Sequence, residues 1–332
     1  MLERIENINP KLFDPDVELK ATRTGFGEGL VLAGQENKNV VALCADLAES
    51  TQMSFFRDKF PERFVEMGVA EQNLVTVASG MAAAGKIPFA ASYATFNPGR
   101  NWEQIRTTIC YNDRPVVIVG SHAGLSVGAD GGSHQALEDI AMMRALPNMI
   151  VLSPCDAMEA RKATLAAARA GKPVYLRLAR EKTPVITRED TPFEIGKAQV
   201  VLESQSGEKA QVGIFATGPL LYNALVAAKE LSEEGIAVKV VNVSTIKPLD
   251  TKVVGEVARE TGAIVTIEEH QKAGGLGGAI CEFLAQNAPT PVEFIGVDDK
   301  FGQSGKPLEL YEAYELTSRH IKEAAKKVIS RL

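Results

Sequence analysis

The sequence predicts an α/β protein of two domains, each a mostly parallel sheet flanked by helices. Three observations carry that expectation. Apolar, β-branched runs alternate with helix-patterned segments throughout, as in parallel sheets covered by helices on both faces. The alternation lapses around Glu181–Gly196, where EKTPVITREDTPFEIG is polar and holds two prolines, the composition of a linker. The length, 332 residues, suffices for two full cores. The expected division is an N-terminal extension (1–19), a first domain (20–182), a linker (183–196) and a second domain (197–332).

The elements follow in order. Strands are expected at Val40–Ala45, Phe64–Glu66, Ile87–Tyr93, Val116–Gly120, Met149–Leu152 and Val174–Leu178. A helix of small residues lies between the second and third. Asp156–Ala170 reads most clearly as a helix: Asp156 caps it, Glu159 completes a capping-box pattern and Gly171 ends it. The second domain alternates strand Val212–Ala216, helix Pro219–Glu234, strand Ala237–Val243, helix Asp250–Thr261, strand Ala263–Glu268, helix Leu276–Gln286 and strand Val292–Ile295. A helical tail over Leu316–Ile329 closes it. There is no internal repeat and no low-complexity segment.

Composition narrows the function. The chain is 45% hydrophobic and 23% charged with net charge −6, and no basic stripe suggests nucleic acid. No apolar run approaches the ~18 residues of a membrane span. The opening MLERIENINPKLFDPDVELK lacks the apolar core of a signal peptide. Cys44, Cys110, Cys155 and Cys281 are far apart and form no CxxC pair. They are expected as buried thiols in a reducing cytoplasm.

Two regions concentrate chemistry. In Phe64–Phe96, FVEMGVAEQNLVTVASGMAAAGKIPFAASYATF, Glu71 falls in the first turn of the small-residue helix and Phe96 just past a strand. A lone Glu there usually serves as a favourable charge at a helix start. Here Val69, Ala70, Leu74, Val75, Val77, Ala78, Met81 and Ala82 make the helix apolar nearly all round. It is therefore expected to be buried, and a buried carboxylate needs a partner. Tyr93 precedes Phe96 by three residues and can shape the same pocket.

The second region, VGSHAGLSVGADGGSHQALEDIAM (Val119–Met142), leaves a strand end, crosses a glycine-rich loop and is expected to enter a helix near His134. Ligands in open α/β sheets sit off the carboxyl ends of strands. His122, Asp130 and His134 gather there, although the chain has only four His in all. A zinc site is the competing reading, but two His twelve residues apart form no metal signature, so no metal ligands are assigned.

Other strand ends carry Asp46 and Ser50 in DLAES, Arg180 in YLRLARE with Arg177 as an alternative, and Arg100 in NPGRNWEQIR; Arg23 lies in KATRTGFGEGL. Asp46 reads equally well as a turn or cap residue and Ser50 as a solvated hydroxyl. Arg suits anions because its charged fork binds them bidentately. GGLGGAI (Gly274–Ile280) lacks the spacing and later acid of a dinucleotide site. It is expected to serve helix packing and dimer contact, with His270 structural.

These motifs, together with the D-L-A-x-S element and the ADGGSHQ loop, resemble the transketolase family. The likeness runs from Lys20 to the end and matches the second half of a full-length transketolase: the pyrimidine-binding domain followed by the C-terminal domain. The resemblance implies thiamine diphosphate, whose aminopyrimidine must take up its imino tautomer, with the carboxyl of Glu71 shared at a ring nitrogen. It implies Glu71, His134 and His122 as catalytic residues. Glu71, Phe96, Asp46 and Tyr93 would bind the cofactor. Arg23, Ser50, His122, Asp130, His134, Arg180 and Arg100 would bind a sugar phosphate.

The family's Gly-Asp-Gly motif for diphosphate and Mg2+ is missing; Ala129-Asp130-Gly131-Gly132 comes closest. The resemblance thus implies one subunit of a split enzyme. An N-terminal transketolase subunit would carry the diphosphate and Mg2+ site, within an α2β2 heterotetramer of the cytoplasmic pentose phosphate pathway. The alternatives are a subunit like 1-deoxyxylulose-5-phosphate synthase or 2-oxo-acid dehydrogenase, and a noncatalytic regulatory subunit.

Overall fold

The computed structural model describes residues 2–4, 8–204 and 209–332. β1 (Leu2–Arg4) and β2 (Leu19–Ala21) precede helix α1 (Thr22–Glu36). β3 (Val40–Cys44), α2 (Ser54–Lys59), β4 (Phe64–Glu66), α3 (Glu71–Ala83) and β5 (Ile87–Tyr93) follow. α4 (Trp102–Gln104) runs into a π-helical turn, Ile105–Cys110, before β6 (Val117–Ser121). Then come α5 (Asp139–Arg144), β7 (Ile150–Leu152), α6 (Ala157–Arg169), β8 (Val174–Arg177) and β9 (Lys182–Pro184). The remainder holds β10 (Gln199–Ser204), β11 (Val212–Ala216), α7 (Leu221–Glu233), β12 (Val238–Asn242), β13 (Thr245–Lys247) and α8 (Thr251–Thr261). β14 (Ile264–Gln271), α9 (Leu276–Asn287), β15 (Val292–Val297), α10 (Pro307–Ala313) and α11 (Ser318–Ile329) complete it.

The strands form two main sheets flanked by helices. The first has the order β13-β7-β8-β6-β5-β3-β4 and is parallel except at its β13 edge. The second has the order β1-β10-β12-β11-β14-β15, with the β1–β10 and β10–β12 pairs antiparallel and the rest parallel. Central strands such as β3, β6 and β11 are buried at every position. Continuous apolar runs are what a sheet covered on both faces requires.

The two sheets are interlocked. β13 comes from the second half of the chain yet pairs with β7 of the first sheet, and β1 from the first half pairs with β10 of the second. The polar stretch after Glu181 is anchored at its start: β9 pairs with β2, and Ile186 and Thr187 are buried. Asp156 caps α6 through the Glu159 amide at 2.7 Å and also receives the Ile186 and Thr187 amides and the Thr187 hydroxyl. Glu159 closes the capping arrangement on Cys155, one residue upstream of Asp156, and accepts from Asn242 of β12 at 2.8 Å.

The structure corrects two expectations. α3 is buried on one face only: Gln72, Asn73 and Thr76 lie in solvent, Val77 and Met81 are half-buried, and Val69, just before the helix, is 70% exposed. Its small apolar residues extend beyond the face that meets the sheet. His134 does not open a helix. A 3-10 turn covers Leu125–Asp130 and the helix starts only at Asp139. Cys44, Cys110 and Cys155 are buried as expected, and Cys281 is half-buried. Among the described residues, no helix is long and apolar enough to cross a membrane.

α1 reaches α6 through glycine. A Cβ on Gly25 would stand 1.8 Å from the carbonyl oxygen of Ala157, and backbone cannot yield as a flexible side chain does. Gly25→Ala is therefore expected to destabilise the chain by roughly 3 kcal/mol or more. The midpoint of urea unfolding checks this, and an unchanged midpoint would show that α1 and α6 can separate freely.

Candidate active site

β5 leads to the centre of the site. Its exposed end carries Tyr93, and the following turn carries Phe96, Asn97, Arg100 and Asn101. Glu71, the first residue of α3, is 1% exposed. Its carboxylate accepts the Ser92 hydroxyl at 3.1 Å on Oε1 and the Arg100 guanidinium at 2.7 Å on Oε2. Asn101 donates to the Glu71 carbonyl at 2.9 Å and to Asn97 Oδ1 at 3.0 Å. Asn97 in turn donates to the carbonyls of Ala90 and Val119 at 2.9 and 3.1 Å. A relay of amides thus ties the first turn of α3 to β5 and β6.

The aromatic groups converge beside this carboxylate. Tyr93 stacks on His122 with ring centroids 3.9 Å apart and lies near-parallel to Phe96 at 6.5 Å. His134 meets Phe96 edge-on at 5.4 Å and Tyr93 edge-on at 6.2 Å. The Arg100 guanidinium lies over the Phe96 ring, 4.7 Å from its centroid. A planar N–H donor therefore rests on Phe96 while bonding Glu71. That is the disposition a flat aminopyrimidine needs, so these residues fit the pyrimidine half of thiamine diphosphate. Among the described residues, no cluster of three or more His, Cys, Asp or Glu could hold a metal ion.

The charged groups gather around the same rings. Arg23 donates to the Ser50 carbonyl at 2.7 Å. Burial, and then the neighbouring Arg180 guanidinium, lower Arg23 from its ordinary value. Two cations facing one pocket favour an anion between them. Arg180 donates to the Val127 carbonyl at 2.7 Å and pairs with Asp130 at 3.5 Å. His122 and Asp46 both end strands in the left-handed region, with φ of +55 and +58. Such conformations are held by their surroundings and cluster where function needs them. Asp46 is exposed, and its backbone amide donates to Glu66 Oε1 at 2.7 Å.

Other expected groups are structural. Arg177 is buried in an ion pair with Asp139 at 2.8 Å and also bonds the carbonyls of Ala136 and Glu269. It faces no open space, so it offers no alternative to Arg180. His270 is fully buried, with Nδ1 2.7 Å from the Gln271 carbonyl and Nε2 accepting the Ala141 amide. Glu268 fills the N-terminus of α9 by accepting the Leu276 and Gly277 amides. The glycine run therefore holds a side chain where a phosphate would bind.

Sequence reasoning missed Ser92, Asn97, Asn101 and Glu66. Ser92 left a signal, a hydroxyl inside the otherwise apolar strand IPFAASY. The asparagines left none, because their partners are up to 30 residues away.

Comparison with known proteins gives consistent matches. The profile of the transketolase pyrimidine-binding domain matches residues 18–185, and that of the transketolase C-terminal domain matches residues 196–321. A Methanocaldococcus jannaschii chain with the provisional name of transketolase C-terminal section is 41% identical, over 94% of this chain and 96% of its own. A 6-deoxy-6-sulfo-D-fructose transketolase subunit from a Clostridium species is 37% identical, over 96% and 98%. A solved split-gene transketolase, described as an inactive β4 tetramer, superposes with a TM-score of 0.86 at 46% identity, covering 93% of this chain and 98% of that one.

The imidazole of His122 has a defined protonation state. Burial, followed by the charges of Arg23 and Arg180 and by His134, pushes it down to about 3 from 6.5. The unfolded chain takes up this proton near 6.5 and the folded chain only near 3, so the group's contribution to stability is lost as pH falls through that window. In proton NMR, the His122 ring signals are expected to stay at neutral positions from pH 8 down to about 4. A transition near 6.5 would show the ring to be solvated.

Proposed function

The chain belongs to the transketolase family, and from that premise we propose that it is the C-terminal subunit of a thiamine-diphosphate-dependent transketolase. It would transfer a two-carbon ketol unit from a ketose phosphate to an aldose phosphate. The observation that carries this reading is the pairing of buried Glu71 with a planar donor resting on Phe96. The family's cofactor, when bound, supplies the carbon nucleophile that the donor ketose requires.

This chain's residues would hold, orient and move protons. Glu71, buried at the start of α3 and steadied by Ser92, would share a proton with a ring nitrogen of the pyrimidine. Phe96 would offer that ring the face that Arg100 now covers, and Tyr93 fixes the neighbouring wall by stacking on His122. Asp46 lies at the cofactor side.

A neutral His122 can donate its N–H to a substrate hydroxyl oxygen or accept a hydrogen bond from that hydroxyl. Its Nδ1 lies 2.9 Å from the Ser121 hydroxyl, which orients the ring. His134, half-buried at the edge of Phe96 and Tyr93, handles the second hydroxyl proton. Asp130 reads a hydroxyl stereocentre. Arg23, Arg180 and Arg100, with Ser50, grip the substrate phosphate.

The Mg2+ and diphosphate contacts fall to a partner, the N-terminal transketolase subunit, in an α2β2 assembly. The sequence has no Gly-Asp-Gly, and relatives of matching length carry the names of a section or a subunit. The open side of α3 beside Glu71, where half-buried Val77 and Met81 lie among exposed Gln72, Asn73 and Thr76, is the surface we assign to that partner. The setting we propose is cytoplasmic sugar-phosphate metabolism.

Combined with its partner, Mg2+ and thiamine diphosphate, the chain should convert xylulose 5-phosphate and leave pyruvate untouched. Glu71→Ala should reduce kcat by about a thousandfold or more while the circular dichroism spectrum stays unchanged. Near-normal turnover in that variant would defeat the assignment. Full activity of the partner alone would instead identify a regulatory subunit.

A further inference from the structure

The glycine-rich loop is held from beneath by the second half of the chain. Glu269, near the end of β14, is 2% exposed. Its Oε1 accepts the backbone amide of Ser126, and its Oε2 accepts the hydroxyls of Ser126 at 3.3 Å and Tyr311 at 3.1 Å. Tyr311 belongs to α10 and is itself buried. The loop backbone lies directly on this carboxylate. Gly124, with φ of +85, admits it, since a Cβ there would stand 2.4 Å from the Glu269 carboxyl carbon. Arg177 holds the Glu269 carbonyl at 2.8 Å, so the acid is fixed at both ends.

A second grip lies farther along. The buried amide of Gln135 donates to the carbonyls of Leu125 at 3.1 Å, Gly128 at 3.3 Å and Gln303 at 3.0 Å. Gln303 belongs to the segment before α10. The turn these contacts shape, Leu125–Asp130, ends on the residue that pairs with Arg180.

The loop between Gly124 and Gly132 holds four glycines, and glycine loses the most conformational freedom on ordering. Without external ties such a loop would populate many shapes, and a ligand's apparent affinity falls with the fraction that is competent. We propose that Glu269, braced by Tyr311, is a positioning residue: it sets the Ser126–Asp130 turn so that Asp130 and Arg180 present one fixed face to the substrate. Resting on the function proposed above, this gives the C-terminal unit a task in that function, although Glu269 touches neither cofactor nor substrate.

Hydrogen exchange on the free chain, together with kinetics of the full complex, tests the assignment. In Glu269→Ala, amides of residues 125–132 should exchange about tenfold faster, and KM for the ketose phosphate should rise about tenfold, with kcat within about threefold and thiamine diphosphate affinity unchanged. Glu269→Gln keeps an acceptor for the Ser126 amide and should recover part of both effects. Tyr311→Phe, which removes a single hydroxyl, should shift both by about threefold.

If Glu269→Ala does not fold, the other two variants decide on the same readouts. Unchanged exchange and KM in the folded variants overturn the proposal. So does a joint loss of kcat, cofactor affinity and thermal stability that Gln does not relieve, because that marks a merely structural acid. A wild-type complex that takes up no thiamine diphosphate would refute the function proposed above, and loop exchange would still decide the role of Glu269.

Discussion

The ion pair between Arg177 and Asp139 is the junction on which the rest is hung. Both side chains are buried, at 5% and 2% exposure. Removing such charges from water costs several kcal/mol each unless every donor and lone pair is met. Here they are met from both halves of the chain. Tyr175 donates to Asp139 at 2.6 Å, and the guanidinium also bonds the carbonyls of Ala136 and Glu269. β8, the glycine-rich loop and β14 are thereby held in one arrangement. A shift of one sheet against the other would strand a charge, so the site inherits its geometry from the core.

The same economy of partners runs through the site itself. Glu71 is dry, yet both oxygens and its carbonyl are occupied by Ser92, Arg100 and Asn101. The amide relay reaches the Ala90 and Val119 carbonyls, which lie on strands of the central sheet. Precision at the start of α3 therefore comes from rigid elements rather than from the turn alone. The arginines show the opposite condition. Arg23 is lowered by burial and then by the neighbouring Arg180 guanidinium, and two cations facing one pocket favour an anionic visitor.

What could be read from the chain was what local pattern determines. β5 and β11 end where alternation and punctuation place them, Asp156 caps its helix as expected, and the helix expected from Asp250 starts one residue later with Asp250 as its cap. The gathering of Glu71, Phe96, Tyr93, His122 and His134 was legible because strand ends in an α/β sheet share one rim. Long-range pairing was not legible. β13 adds to a sheet formed by residues almost a hundred positions earlier, and three residues leave no periodicity to detect. Arg177 and Arg180 sit on one strand end, and only the location of Asp139 and Glu269 separates a core cation from one facing the pocket. The outer side of α3 misled because Val77 and Met81 read as core although they are only half-buried, and Gln72, Asn73 and Thr76 mark the face that meets solvent.

Arg100 has one more implication. On the reading proposed above, loading is a trade rather than a filling. An incoming ring would take the place of a guanidinium that already satisfies the acid and covers the phenyl face. The displaced group, 46% exposed at the rim, would then be free to meet a phosphorylated sugar. One side chain would thus write a sequence of arrivals into the site, vitamin first and sugar after.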